Sequence, residues 1–311
     1  MTQTIVILGH GPVGKATAHR LVRAGHRVRV AQRTRPLDLT SGAAFQACDV
    51  LDAEAVGAAI AGADQVVLAV GFSYTGAVWR RDWPRAMANT LAACEMSAAR
   101  LVFVDNLYMY GPQTAPLRED MPLADFGAKP AVRAAITRQW LAARDRVKVA
   151  ALRAPDFYGP GVRQSHLGDV GFAAIAQGKA ATLIAPPDTQ HDFAYVPDFA
   201  RAVETLLAAP DADFGQAWHV PSAPTATPRE ILALGAAALG RKLKINAVPL
   251  GLLPTLAVFS PFLRELKEMR FQWDRPYHVD ASKFGRRFWA DATPFDVGAA
   301  QTARSFAAPV R

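Results

Sequence analysis

Cysteine is nearly absent. Cys48 and Cys94 are the only two in 311 residues, and they sit in no paired or metal-like spacing. That argues against a disulfide framework and for a reducing compartment. The seven histidines show no ligand-like spacing to acids or cysteines, so no metal site is expected. No serine lies in a nucleophile elbow either. Long apolar runs are also missing. The longest, Val248 to Phe259, is interrupted by Pro249 and Pro254 and is too short to span a bilayer. Met1-Thr2-Gln3 is uncharged and the aliphatic run behind it is short, so no secretory leader is expected and the cytoplasm is the expected location. The net charge is +8, yet lysine and arginine are scattered and no nucleic-acid motif accompanies them. A solvated basic surface, or attraction for an anionic cofactor or substrate, accounts for that balance. The expected partner is a small molecule, not nucleic acid or membrane, and the chain is expected to be a monomer or homodimer.

What is present begins at residue 4. Thr4 to Leu8 is a β-branched run, followed by Gly9-His10-Gly11-Pro12-Val13-Gly14, a helix-compatible stretch to Ala24, and a second apolar-alternating run to Gln32. Strand, G-x-G-x-x-G turn, helix, strand is the order of a dinucleotide-binding βαβ unit. Gly9 permits the tight turn, Gly11 lets backbone approach a pyrophosphate, and Gly14 lets helix pack on strand. The helix start then offers free N–H groups and the positive end of its dipole. Gly9-x-x-x-x-Gly14-Lys15 also approaches the phosphate loop of triphosphatases. However, Ala16 stands where a Ser or Thr would hold magnesium, and Pro12 removes an N–H. At the end of the second strand an NAD site places an acid for the ribose 2′-OH. Here Gln32-Arg33-Thr34-Arg35 has none. Arg33 and Arg35 suit a 2′-phosphate, which favours NADP over NAD; otherwise they are solvated loop charges.

The same rhythm continues. Ala44–Ala47 reads as a strand, Asp52 as the N-cap of a helix to about Ala61, and Gln65–Val70 as a buried strand stopped by Gly71. An aromatic and basic loop is expected from Phe72 to Arg85, with Pro84 in the first turn of a helix to Ala99. Arg100–Val104, a helix over Ala131–Arg144 and a strand over Lys148–Arg153 follow. This alternation specifies an α/β, Rossmann-type doubly wound parallel sheet with right-handed crossovers. The expected division is a dinucleotide-binding domain over 1–155 and, over 156–311, a smaller C-terminal substrate lobe that returns some elements to the sheet. In that second half helices are expected over Asp169–Gln177, Pro197–Ala208 and, capped by Thr227, Pro228–Leu239, with strands over Thr182–Ile184 and Leu243–Val248.

Several segments together resemble the short-chain dehydrogenase/reductase superfamily, in its extended branch of epimerases, dehydratases and reductases. They are the glycine motif, Cys48-Asp49-Val50, the strand end Ala69-Val70-Gly71, Phe103 to Gly111 with Tyr110-Gly111, Leu152 to Gly161, and His191 to Ala200. The resemblance covers nearly the whole chain in order. It implies an enzyme using a nicotinamide dinucleotide, with Asp49 and Val50 at the adenine and Ala69, Val70, Gly71 and Pro155 along the cofactor. The departures concern chemistry. The family's catalytic pair is Tyr-x-x-x-Lys, and none of the six tyrosines here has Lys four residues later. Counting back from Lys129 gives Asp125, and Phe126 has no hydroxyl. The usual Ser or Thr is replaced by Asp105 or Asn106.

Candidates for chemistry are therefore Asn106, as donor to a carbonyl oxygen or as a turn residue; Tyr108, as a substitute proton donor or as packing; and Lys129, on a ribose hydroxyl or solvated. His10 would reach the phosphates or face water. Tyr74, Trp79 and Arg80 would line a substrate lid or belong to the core, and His191 and Asp192 read as structural. The expected activity is an NADP(H)-dependent oxidoreductase acting on a small carbonyl or alcohol. The alternatives are an epimerase or dehydratase with bound cofactor, and a non-catalytic NADP sensor.

Overall fold

The computed structural model describes residues 2–307; Met1 and 308–311, the last positions of the expected second half, lie outside the described residues. The chain opens with β1 (Thr4–Leu8), α1 (Pro12–Arg23), β2 (Arg27–Gln32), β3 (Ala44–Ala47), α2 (Ala53–Ile60), β4 (Gln65–Leu68), α3 (Gly76–Met96) and β5 (Arg100–Asp105). After a single turn of 3-10 helix at Tyr108–Tyr110 come α4 (Lys129–Ala142) and β6 (Val149–Arg153). Next are β7 (Asp156–Tyr158), a π-helical turn at Gly168–Ala173 running into α5 (Ala174–Ala176), β8 (Ala181–Leu183) and β9 (Phe193–Tyr195). The chain then makes α6 (Val196–Ala208), β10 (Gln216–His219), α7 (Pro228–Ala238) and β11 (Ile245–Ala247). It ends with α8 (Leu253–Phe259), α9 (Pro261–Lys267), α10 (Ser282–Arg287) and α11 (Phe295–Ala307).

Two compact units result, each discontinuous in sequence. One comprises Met1–Met109, Pro122–Arg153 and Phe199–Trp218; the other comprises Tyr110–Met121, Ala154–Asp198 and His219–Arg311. The first is built on a seven-stranded sheet in the order β10-β6-β5-β4-β1-β2-β3. Strands β1 to β6 pair in parallel. Ile5, Val6, Ile7 and Leu8 are all essentially inaccessible, as expected of strands covered on both faces. Strand order reverses between β1 and β4, the place where open α/β sheets bind ligands. β10, which lies in the second half of the sequence, joins this sheet beside β6.

Local signals account for several boundaries. Asp52 caps α2 by accepting from the Glu54 and Ala55 amides at 2.9 and 3.2 Å, and Thr227 with Glu230 forms a capping box on α7. The aromatic loop is a correction. α3 already starts at Gly76, so Trp79, Arg80, Arg81 and Trp83 are helical and Pro84 lies in the helix interior rather than its first turn. An interior proline costs about 3 kcal/mol. Trp79, Trp83, Met87 and Leu91 follow at four-residue spacing on one buried face, and each large apolar side chain contributes about 1.5–3 kcal/mol. Burial therefore outweighs the proline. Cys48 and Cys94 are buried free thiols; burial pushes them up to about 11 and about 12.

The second unit pairs β7 with β9 and β8 with β11, both in parallel. Its core gathers Tyr158, Leu167, Phe172, Phe193, Ile231, Leu232, Phe295 and Ala299. The expected helix over Asp169–Gln177 is a π-helical turn followed by a short α-helix.

Candidate functional site

The loop after β1 behaves as its glycines require. Gly9 has φ +98°, and a Cβ there would lie 2.7 Å from the Ala69 carbonyl oxygen; one on Gly14 would lie 2.1 Å from the Gly9 carbonyl oxygen. Both positions exclude any side chain. A Cβ on Gly11 would meet nothing within 4 Å, so Gly11 leaves open space rather than close packing. α1 begins at that point with Pro12 in its first turn and no side-chain cap. Its N-terminal N–H groups suit an anion. Val13 and Gly14 are buried beneath this turn. Ala69 follows β4, its N–H donating to Leu8 carbonyl at 2.9 Å. Ala69 and Val70 are half-buried and Gly71 is exposed. Pro155 is buried and belongs to the second unit, whose middle segment opens at Ala154.

A polar net ties the turn to the loop beyond β2. The His10 amide donates to Gln32 Oε1 at 2.9 Å, and Gln32 Nε2 donates to the Thr34 carbonyl at 2.8 Å. His10 Nε2 lies 3.2 Å from Thr40 Oγ1, while its Nδ1 is buried without a hydrogen-bond partner. Burial lowers the His10 pKa, against the pull of Asp38. Lys15 pairs with Asp38 at 2.5 Å, and that hydrogen bond holds the Asp38 carboxyl low. Arg33 is exposed, and Arg35 lies 5.8 Å over the Phe45 ring. Asp49 accepts from the Leu51 amide at 3.0 Å, and Asn89 Nδ2 donates to the Val50 carbonyl at 3.1 Å. Gln32 and Asn89 are contributors that the sequence pattern did not single out.

Beyond β4 and β5 the structure brings together three of the expected residues. The Tyr74 and Tyr108 hydroxyls are 3.4 Å apart, a long hydrogen bond. Lys129 is fully buried at the start of α4, its Nζ 4.6 Å over the Tyr74 ring. A solvated lysine is thus excluded. Trp79 is buried and stacks on Tyr108 at 5.9 Å with an interplanar angle of 12°, so it supports the tyrosine from the core and is no exposed lid. Arg80 is exposed. Asn106 is used locally: its Oδ1 accepts from the Tyr108 amide at 3.1 Å, which shapes the turn. Beneath these groups lies an ion cluster that sequence reading missed. Asp105 receives Arg133 at 3.0 Å and Arg153 at 3.1 Å, all three buried. Burial pulls the Arg133 guanidinium below its ordinary range, against the attraction of Asp105 and Tyr108. The available signal was spacing: Lys129, Arg133 and Thr137 form a polar stripe at four-residue intervals beside Val132, Ile136 and Trp140.

A sequence profile described as NAD dependent epimerase/dehydratase family matches residues 5–220. The chain belongs to that family. No curated protein matches it in sequence. Among solved structures it is similar to the Bordetella bronchiseptica enzyme WbmH in complex with NAD+, at 18% identity over 98% of both chains and TM-score 0.77. It is also similar to dTDP-glucose 4,6-dehydratase from Bacillus anthracis with NAD, at 17% identity over 98% of this chain and 96% of that one, TM-score 0.80. Thermus thermophilus UDP-glucose 4-epimerase with NAD is 20% identical over 99% and 100%, TM-score 0.77. At these identities the likeness speaks for the fold. The space at Gly11 and the uncapped start of α1 would accept the phosphates of the family's dinucleotide.

Among the described residues, no group of His, Cys, Asp and Glu could hold a metal and no helix is long and apolar enough to cross a membrane. The second unit contains a separate buried cluster. His191 Nδ1 faces the Gln272 carbonyl at 3.1 Å and its Nε2 lies 3.4 Å from Asp156. Asp192 accepts from Thr225 Oγ1 and the Val279 amide, a tie within the unit. Burial opposes the charge on Asp156, but His191, His166 and Trp273 hold its carboxyl below the usual range. His166 stacks between Phe193 and Trp273, and burial lowers it to about 4. A histidine with a depressed native pKa is neutral in the fold and binds protons more tightly when unfolded. Its contribution is present above the unfolded value near 6.5 and is lost as pH falls toward 4, about 3 kcal/mol in all. Denaturant titrations between pH 7 and 4 should show this loss in the wild type and a shallower one in His166→Phe, which keeps the stack. Parallel curves would contradict the assignment.

Proposed function

We propose that this chain is an NAD(P)-dependent enzyme of the epimerase/dehydratase type, in which a tyrosine pair backed by Lys129 replaces the Tyr-x-x-x-Lys relay. The observation that carries it is the fully buried Lys129 ammonium 4.6 Å over Tyr74, whose hydroxyl meets that of Tyr108. The glycine turn, the first turn of α1 and Ala69-Val70 would hold the dinucleotide, with Asp49 and Val50 at the adenine. When bound, it supplies a two-electron acceptor and donor for a carbinol carbon of the substrate. The chain's own residues handle the proton. As the substrate C–O bond gains carbonyl character, its oxygen releases a proton to the Tyr108 phenolate, whose oxygen accepts a hydrogen bond from the Tyr74 hydroxyl. The return step delivers it back. The Lys129 ammonium, buried over the Tyr74 ring, places a positive charge beside the pair, which favours the charged form of a phenol there. Trp79 and the Asn106 turn hold the Tyr108 ring. The same residues would serve net reduction of a small carbonyl with NADP(H); the two readings differ in whether the cofactor leaves.

General acid–base groups contribute about 10²–10⁴-fold. Tyr108→Phe, Tyr74→Phe and Lys129→Met should each slow cofactor-dependent conversion by about 10²-fold or more, read by nicotinamide absorbance against a panel of small alcohols, ketones and aldehydes. Equal rates in all variants would sink the relay. Cofactor binding with no conversion by any of them would favour a non-catalytic dinucleotide sensor.

The preference within the cofactor class rests on the loop beyond β2. Arg33 and Arg35 would take the 2′-phosphate, and no carboxylate opposes it at the strand end. Calorimetry should show Arg33→Ala and Arg35→Ala weakening NADPH binding about tenfold or more while leaving NADH unchanged; equal losses for both would remove the NADP preference.

A further inference from the structure

Arg133 lies one helical turn beyond Lys129 and is 5% exposed. Its guanidinium carbon is 3.9 Å from the Trp83 ring centroid and 4.9 Å from that of Trp79. One nitrogen reaches Asp105 at 3.0 Å, and its Nε is buried with no hydrogen-bond partner. Asp105 also serves Arg153, whose Nη2 donates to Thr137 Oγ1 at 2.8 Å. Burying an ion is costly, and a purely structural tie between β5 and α4 does not require one. One carboxylate divided between two guanidinium groups also leaves Arg133 only partly compensated. Trp79, the farther of these two indoles, is the one that stacks on Tyr108.

We infer that Arg133 is a positioning residue for Tyr108: through the Trp79 stack it fixes the phenol ring, and with its charge it favours the phenolate that accepts a proton. Its use in turnover rests on the role proposed above for Tyr108, but its electrostatic effect does not need turnover to be seen. The Tyr74 hydroxyl lies 3.4 Å from that of Tyr108, and the charged groups of the surrounding cluster are Arg133 and Lys129 from α4, Asp105 from β5 and Arg153 from β6. A charge-based effect therefore has a sign at each. Removing Arg133's charge must raise the Tyr108 titration, and removing Asp105's must lower it. A packing role predicts no such opposition.

The experiment is an ultraviolet difference titration, protein minus its Tyr108→Phe counterpart, which isolates this one phenol. It is run in the wild type, Arg133→Gln, Arg133→Lys and Asp105→Asn, each first checked for native near-ultraviolet circular dichroism. At fixed pH, Arg133→Gln should hold about tenfold less phenolate than wild type and Asp105→Asn several-fold more, with Arg133→Lys close to wild type. If Arg133→Gln fails to fold, the Asp105→Asn shift decides. An unchanged titration in the folded variants, or shifts of the same sign, would overturn the inference. If the shifts occur but conversion is indifferent to Tyr108, the proposed relay fails while the electrostatic coupling stands.

Discussion

The close approach at the first turn constrains everything around it. A Cβ on Gly14 would lie 2.1 Å from the Gly9 carbonyl oxygen, so α1 can start where it does only because no side chain intervenes. That start sits over the carboxyl ends of β1 and β4, where strand order reverses. In a parallel sheet every strand delivers its following loop to the same edge. The loops after β4 and β5, with Tyr74 and Tyr108, are therefore brought to the edge that the glycine turn occupies. The open space at Gly11 and the uncapped helix start leave that edge suited to an anionic ligand.

Charge distribution separates support from chemistry in this unit. The Lys129–Arg133–Thr137 stripe places two cations inside an aromatic shell of Tyr74, Trp79, Trp83 and Phe103. Rings accept such cations through their electron-rich faces, worth about 2 kcal/mol or more when desolvated. This is less than the penalty of burying an ion. Asp105 supplies much of the difference for Arg133. For Lys129 the ring contact brings the ammonium to the phenol that the proposed relay uses.

Much of the fold is legible in the sequence because its determinants are local. The aliphatic run of β1, the Asp52 cap and the Thr227–Glu230 box each act within a few residues. Where tertiary burial competes with a local rule, the sequence misleads. Pro84 reads as a helix start, yet the Trp79–Trp83–Met87–Leu91 face carries α3 past it. Strands β7 and β9 are three residues long and obtain their stability from the core of the second unit, so no periodicity marks them. The sequence offers Tyr74, Tyr108 and Lys129 singly, but not their meeting, for a similar reason. A search along one helix for Tyr-x-x-x-Lys finds nothing, because Tyr74, Tyr108 and Lys129 lie far apart in the chain and meet only across the ends of β4 and β5. Arg133 and Asp105 are hidden in the same way, one on a helix face and one at a strand end.

The central claim is that the edge holding the glycine turn and the tyrosine pair is a single dinucleotide site. A crystal structure with NADPH tests it most directly. The account predicts the pyrophosphate against Gly11 and the first turn of α1, and the nicotinamide C4 facing a space that the Tyr108 and Tyr74 hydroxyls also reach, close enough for reacting atoms to lie about 3–3.5 Å apart. A dinucleotide bound elsewhere, or a nicotinamide remote from both hydroxyls, would contradict it.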